Sequence, residues 1–166
     1  MQAKIQIINN TQVKAIIKRL AFQIWETHTH TKSLVIAGIA GNGQKIATLL
    51  ANELSQISTL KIKQVEIHLS KHKPDVNEVL LDQKLATGDK HILVVDDVLN
   101  SGQTLLYALT PFVRAKVASI HTAVLMARSH RKFPVGADYI GMALSTTMQE
   151  HIDVVINGGK VSVYLE

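Results

Sequence analysis

Two adjacent carboxylates, Asp96 and Asp97, follow the apolar run Ile92-Leu93-Val94-Val95 and precede Val98-Leu99-Asn100-Ser101-Gly102-Gln103-Thr104. An apolar run bounded by turn residues reads as a buried strand, so the acids arrive at a strand's carboxyl end. From Asn100 to Thr104 the chain then offers a carboxamide, two hydroxyls and a glycine where a helix is expected to open. The unpaired backbone N–H groups of a helix start suit a phosphate monoester. Gly102 lets the main chain approach an anion closely, and Ser101 and Thr104 add hydroxyl donors. Paired carboxylates repel an anion, yet they accept hydrogen bonds from sugar hydroxyls or hold Mg²⁺ through water. A 5-phosphorylated ribose satisfies both halves. The plainer reading, an Asp-rich turn before a capped helix, is common in α/β proteins but does not require this spacing.

A second glycine-bearing turn, Ala40-Gly41-Asn42-Gly43, follows an apolar segment at 33–39. It is not a dinucleotide fingerprint, because Ile46 stands where the third glycine belongs, and no Gly-Lys-Ser/Thr follows to make a phosphate-binding P-loop. The absence of cysteine excludes disulfides, thiolate metal sites and a thiol nucleophile. Eight histidines are present, among them His28, His30, His68 and His72, but none falls in a zinc-binding spacing, and surface positions are expected for them.

The elements that position these residues follow from periodicity. A helix capped by Asn10 or Thr11 is predicted to run to Glu26, with Val13, Ile16, Ile17, Leu20 and Ile24 inward; Phe22 and Trp25 on it read as core or subunit contacts. Strands are predicted at 33–39, 61–69, 91–95 and 119–126, with short ones at 139–144 and 154–156 and a closing hairpin partner at 161–165. Helices are predicted at 44–54 and 104–113, and the polar, Pro74-containing stretch 70–89 reads as a long functional loop. Strand–helix alternation over 166 residues predicts a single domain spanning 1–166: α/β, three-layer, with a mainly parallel central sheet and helices on both faces. In such sheets ligands bind beyond the carboxyl ends of the strands, where both glycine turns lie.

The chain is 46% apolar and 19% charged, with only 4% aromatic residues, so its core must rest on aliphatic side chains. The net charge of +5 suits an anionic partner, although the basic residues are scattered. No signal pattern or membrane-length apolar run occurs, so a cytoplasmic protein without a membrane partner is expected.

The paired acids and the loop to Thr104 resemble the phosphoribosyl pyrophosphate (PRPP) signature of type I phosphoribosyltransferases. More widely, residues 9–156 resemble the family of pyrimidine operon regulators and uracil phosphoribosyltransferases (PyrR). The similarity is strongest in Ala123-Val124-Leu125-Met126-Ala127-Arg128-Ser129-His130-Arg131-Lys132-Phe133-Pro134-Val135-Gly136-Ala137-Asp138-Tyr139-Ile140-Gly141, and extends to the first helix, residues 12–21. The resemblance implies that Asp96 and Asp97 are the catalytic pair on the ribose hydroxyls and that Asn100, Ser101, Gly102, Gln103 and Thr104 take the 5-phosphate. It implies a pyrophosphate loop at Ala40, Gly41, Asn42 and Gly43. A base-binding segment is implied within 126–133, centred on Ala127, Arg128, Ser129 and His130, and a flexible loop carrying Lys71, His72 and Lys73. It further implies Mg²⁺ bound through PRPP rather than directly by the protein, a nucleobase as co-substrate, RNA as a further partner, and a homodimer or homotetramer. Lys14, Lys18 and Arg19 are candidate RNA contacts.

Three positions depart from that family. Its pyrophosphate loop reads about T-R-G where this chain has Gly41-Asn42-Gly43. Its flexible loop begins near Y-R-D-D where this region reads His68-Leu69-Ser70-Lys71-His72-Lys73-Pro74-Asp75, without the arginine, and Ala127 replaces an aspartate of the base segment. The expected activity is transfer of phosphoribosyl to uracil or a related base. A PRPP- or nucleotide-sensing RNA-binding regulator with weak turnover is the alternative, and a binder of some other phosphorylated sugar a third.

Overall fold

The structure is a computed structural model that describes residues 4–145, 147 and 150–166. Its elements run β1 (Ile5–Ile8), α1 (Asn10–Thr27), β2 (Ser33–Ile39), α2 (Asn42–Ile57), β3 (Lys61–His68), a 3₁₀ turn (Val76–Glu78), β4 (Leu80–Leu81), β5 (His91–Leu99), α3 (Gln103–Ala108), α4 (Thr110–Arg114), β6 (Ser119–Arg128), β7 (Tyr139–Leu144), β8 (Ile152–Asn157) and β9 (Lys160–Leu165). Six strands form one sheet in the order β4-β3-β2-β5-β6-β7, parallel throughout except for β4. The other three form an antiparallel sheet in the order β1-β9-β8. The expected α/β architecture with a mainly parallel central sheet is the one observed.

The sheet's two faces are covered by separate aliphatic clusters. On one face Val13, Leu20 and Ile24 of α1 and Ile46, Leu50 and Leu54 of α2 pack with Ile36, Leu93 and Leu125, and Val154, Val161 and Val163 of the small sheet join them. On the other, Leu105 and Phe112 of α3 and α4 pack on Val35, Ile92, Val94 and Val124. Central strands buried on both sides explain the uninterrupted Leu-Val-Ile runs of the sequence.

Several boundaries differ from the sequence reading, each for a local reason. The cap of α1 is Asn9, not Asn10 or Thr11. Asn9 Oδ1 accepts from the Gln12 N–H at 3.0 Å and its own N–H donates to Gln12 Oε1 at 2.8 Å, a reciprocal box. Asn10 instead accepts from the Val161 N–H at 2.9 Å, which ties the helix to the hairpin. The single helix expected at 104–113 is two, because Pro111 has no N–H to offer the Tyr107 carbonyl; the Thr110 hydroxyl donates there instead at 2.8 Å. The stretch 70–89 is not wholly irregular, since β4 folds back antiparallel on β3, pairing Ile67 with Leu81. β5 continues past Val95 to Leu99, because β6 pairs with it as far as Leu99↔Ala127 although β2 leaves it at Val95. β1 carries no periodic signal and is held by pairing with β9.

Helix α1 crosses β7 at Gly141. A Cβ there would lie 2.3 Å from the Leu125 carbonyl oxygen and 2.7 Å from Ile16 Cγ2. Nearby, the Arg19 guanidinium donates to the carbonyls of Ile140 and Gly141 on this edge strand, and to Gln23 Oε1 at 3.1 Å. That geometry commits Arg19 to capping the sheet edge. Phe22 is half exposed and Trp25 packs on the core. Replacing Gly141 with Ala is expected to destabilise the fold by about 1–3 kcal/mol through overpacking, read as a lowered urea midpoint with an unchanged slope.

Candidate functional site

The order of strands reverses between β2 and β5: from β2 the chain moves outward to β3, and from β5 outward the other way to β6. Beyond Val95, β5 has lost its β2 partner, so Asp96 and Asp97 stand at the carboxyl end of the sheet beside this switch point. They border a cavity of about 210 Å³. Asn100, Ser101, Gly102 and Thr104 line one side of it, Lys71 another, and Ile152, Asp153 and Val154 of β8 the roof.

Each wall has a local cause. The loop after β5 turns at Gly102, whose φ of 87° is the left-handed region that glycine adopts without penalty. A Cβ at that glycine would press within 3.3 Å of the Phe133 and Val135 carbonyl oxygens. The Ser101 carbonyl accepts from the Lys132 and Phe133 N–H groups at 2.9 and 3.0 Å, so the loop is clamped to the segment after β6. Ser101 Oγ accepts from the Gln103 N–H at 3.3 Å, shaping the start of α3. Across the site, Gly43 brings the amino end of α2 against β5: a Cβ would meet Asp96 Oδ1 and the Val95 carbonyl oxygen, both at 3.0 Å.

Asp96 is 4% exposed. Burial, and then the neighbouring Asp97 charge, push its carboxyl up from the ordinary 3.8 to about 7, with Lys71 acting in the opposite direction. The Lys71 ammonium lies 3.6 Å from Asp96 Oδ1 and 4.0 Å from Asp97 Oδ1. Asp96 Oδ1 accepts from the Asp97 N–H at 2.9 Å, and Asp97 Oδ1 from the Val98 N–H at 3.0 Å. Asn42 Nδ2 donates to Asp97 Oδ2 at 3.1 Å and to the Val154 carbonyl at 2.8 Å, linking α2, the acidic pair and the small sheet.

The structure therefore brings Asp96, Asp97, Asn42, Lys71 and the 100–104 loop together. Gln103, His72 and Lys73 do not line the cavity, nor do Ala40, Gly41, Asn42 and Gly43 of the expected pyrophosphate loop, of which Asn42 reaches the site through its bond to Asp97. Ala127, Arg128 and Ser129 line a second cavity of about 290 Å³ that shares Leu99 with the first, and Arg128 Nη1 reaches Asn100 Oδ1 at 3.5 Å. His130 is exposed. The sequence reading missed the β8 residues Ile152, Asp153 and Val154. Nothing in a six-residue strand announces that it will fold over a site so distant in sequence, and only the pairing of β8 with β9 positions it. The expectation of surface histidines fails for His28, which is 2% exposed; its Nδ1–H donates to the Ile24 carbonyl at 2.8 Å at the end of α1. Among the described residues no cluster of three or more His, Cys, Asp or Glu is arranged to hold a metal, and no helix is long and apolar enough to cross a membrane.

Residues 5–156 match the phosphoribosyl transferase domain family. Proteins described as bifunctional protein PyrR, from Streptococcus thermophilus and Haemophilus influenzae, are 30% and 31% identical to the chain. The first alignment covers 96% of this chain and 95% of the relative, and the second 89% of each. The crystal structure of the hypoxanthine phosphoribosyltransferase of Trypanosoma cruzi is similar with a TM-score of 0.77 at 19% identity, covering 96% of this chain and 95% of that one, a likeness of fold.

The raised carboxyl of Asp96 has a sign that can be checked. Its contribution to stability is fully present below the unfolded value near 3.8 and is lost as pH rises through about 7, because the unfolded chain ionises it more easily. Asp96→Asn removes that loss. In paired thermal melts from pH 4 to 8, the variant is expected to gain on the native protein up to about pH 7 and to keep a constant lead above it; parallel curves throughout would contradict the assignment.

Proposed function

The chain belongs to the phosphoribosyl transferase domain family, alongside the PyrR proteins, and on that premise we propose that it binds PRPP in the cavity beside Asp96 and Asp97 and transfers its phosphoribosyl group to uracil or a related base. One observation carries this reading: an acidic pair, Asp96 buried and Asp97 partly so, and a Gly102-turned hydroxyl loop line the same cavity at the switch point of a parallel sheet. A ribose diol donates to Asp96 and Asp97, and the 5-phosphate rests on the N–H groups and hydroxyls of residues 100–104. The pyrophosphate lies toward Gly41–Gly43, at the positive end of the 16-residue helix α2. A base nitrogen attacks C1 of the sugar; the C1–O bond to pyrophosphate breaks, its electron pair leaves with pyrophosphate, and the base gives up a proton.

The donor set fits a magnesium ion delivered with the ligand. Two carboxylates and no histidine or thiolate partner suit a hard cation that keeps its waters and the ligand's phosphate oxygens. When bound, such an ion supplies positive charge to the pyrophosphate. The protein's own part is to orient the sugar and exclude water beneath β8, so catalysis rests on positioning and on stabilising the departing anion.

A specific observation favours a second reading, that of a PRPP- or nucleotide-responsive regulator with slow turnover and an RNA partner. Asn42 stands where the family's pyrophosphate arginine is expected, and a neutral amide lacks the guanidinium's charge and planar fork. Losing one such donor costs about 3 kcal/mol in the transition state, a hundredfold or more in rate. For RNA, Lys14 and Lys18 remain as exposed cations, while Arg19 is engaged at the β7 edge.

Titration calorimetry with PRPP and Mg²⁺ tests the common premise, and no binding ends both readings. Asp97→Asn is expected to weaken PRPP about 10- to 100-fold, the range for a hydrogen bond to a charged group. A radiolabelled-uracil assay then separates them: turnover supports the transferase, and binding without turnover, together with salt-sensitive RNA binding, supports the regulator.

A further inference from the structure

Three of the four oxygens of the acidic pair already have partners. Asp97 Oδ2 is held by Asn42, and the Oδ1 atoms of both acids each accept a main-chain N–H and face the Lys71 ammonium at 3.6 and 4.0 Å. Lys71 itself lines the cavity. Among the described residues it is the one cation within ion-pairing distance of either carboxylate. A sugar diol that donates to the same carboxylates needs the space beside them that this ammonium now takes up.

The two partners differ in how easily they move. Asp96 sits on a central strand with a side chain only 6% exposed, whereas the Lys71 side chain is 43% exposed and springs from a stretch that is neither helix nor strand. Partly exposed ion pairs of a flexible lysine are weak and readily exchanged. The carboxylates therefore stay and the ammonium leaves.

We infer that Lys71 is an internal occupant of the sugar-diol seat, pairing with Asp96 and Asp97 when the seat is empty and displaced from them when a phosphorylated sugar binds. This rests on the reading of that seat given above. Lysine pairing and diol binding are mutually exclusive, so the measured affinity for the sugar is reduced by the fraction of molecules in which Lys71 holds the seat. Lys71 thereby sets the threshold concentration at which the site fills, and it offsets part of the pair's negative charge in the meantime.

The experiment is competitive acylation of the intact protein with acetic anhydride, the modification rate of each lysine being read by mass spectrometry, with and without ribose 5-phosphate. If Lys71 is paired in about nine-tenths of empty molecules, saturating sugar phosphate raises its rate about tenfold, while remote lysines such as Lys116 hold constant. A Lys71 rate that stays level or falls under saturating ligand overturns the inference, since a lysine that merely covers the ligand becomes shielded. A ligand-free arm keeps the two claims apart: Asp96→Asn, checked for native circular dichroism, is expected to raise the Lys71 rate by itself. If it does so but calorimetry detects no sugar phosphate binding to the native protein, the proposed function fails and the ion pair survives. If it leaves the rate unchanged, the occupancy of the seat by Lys71 is refuted whatever the ligand does.

Discussion

A carboxylate that is 4% exposed, placed directly beside a second carboxylate, is the constraint around which this site is built. Burying ionised groups is costly unless charge and hydrogen bonds replace the lost water. Each neighbour of Asp96 and Asp97 answers part of that cost. The main chain supplies two N–H donors, α2 brings its amino end and the Asn42 amide, and the 70–75 segment sends in Lys71. The close approach of α2 in turn demands Gly43, since a Cβ would meet Asp96 Oδ1 at 3.0 Å. The fold around the switch point is thus a set of solutions to one electrostatic problem. The same solutions leave Lys71 as the cation that faces both carboxylates from the cavity.

That dependence explains what was legible in the sequence. Asp96, Asp97 and the loop to Thr104 stand out as a candidate site because chemistry and geometry coincide in one contiguous stretch, and all of them but Gln103 border one cavity. An apolar strand, two acids and a glycine with flanking hydroxyls are each unusual there, and together they specify a strand end and an anion cradle. The aliphatic runs of β2, β5 and β6 were equally plain, since strands buried on both faces leave no other pattern. Lys71 was visible as a charge near the site but not as a partner of the acids, because a pairing across 25 positions depends on how β3 delivers the loop.

The misses share a physical origin. β1 is a strand by virtue of its partner β9, with partly exposed residues and no period of its own, whereas the β8–β9 hairpin is legible as two short strands about a glycine turn, and only its placement over the cavity has no local signature. His28 reads as one polar residue among several near a helix end. Its burial follows from the packing of α1 on the sheet, where its ring lies edge-on to His121 with centroids 5.2 Å apart. Burial lowers its pKa, against the opposing pull of its bond to the Ile24 carbonyl, so the neutral form is favoured there. The break at Leu109 was announced by Pro111, and reading 104–113 as one helix gave the proline too little weight.

Asn42 shows how a departure from a family pattern acquires meaning only in three dimensions. A side-chain amide has two N–H bonds to give. Here one goes to Asp97 Oδ2 and the other to the Val154 carbonyl of the roof. It therefore has none left for a pyrophosphate unless it lets go of either the acid or the small sheet. An arginine in its place would carry a full charge into a site already balanced by Lys71, and its five donors would allow it to hold structure and anion together. On the proposed reading, a pyrophosphate beside asparagine would rely on main-chain N–H groups at the start of α2 and on whatever cation accompanies the ligand. Relative to the family pattern, asparagine exchanges a mobile charge for a structural tie between α2, the acidic pair and the small sheet.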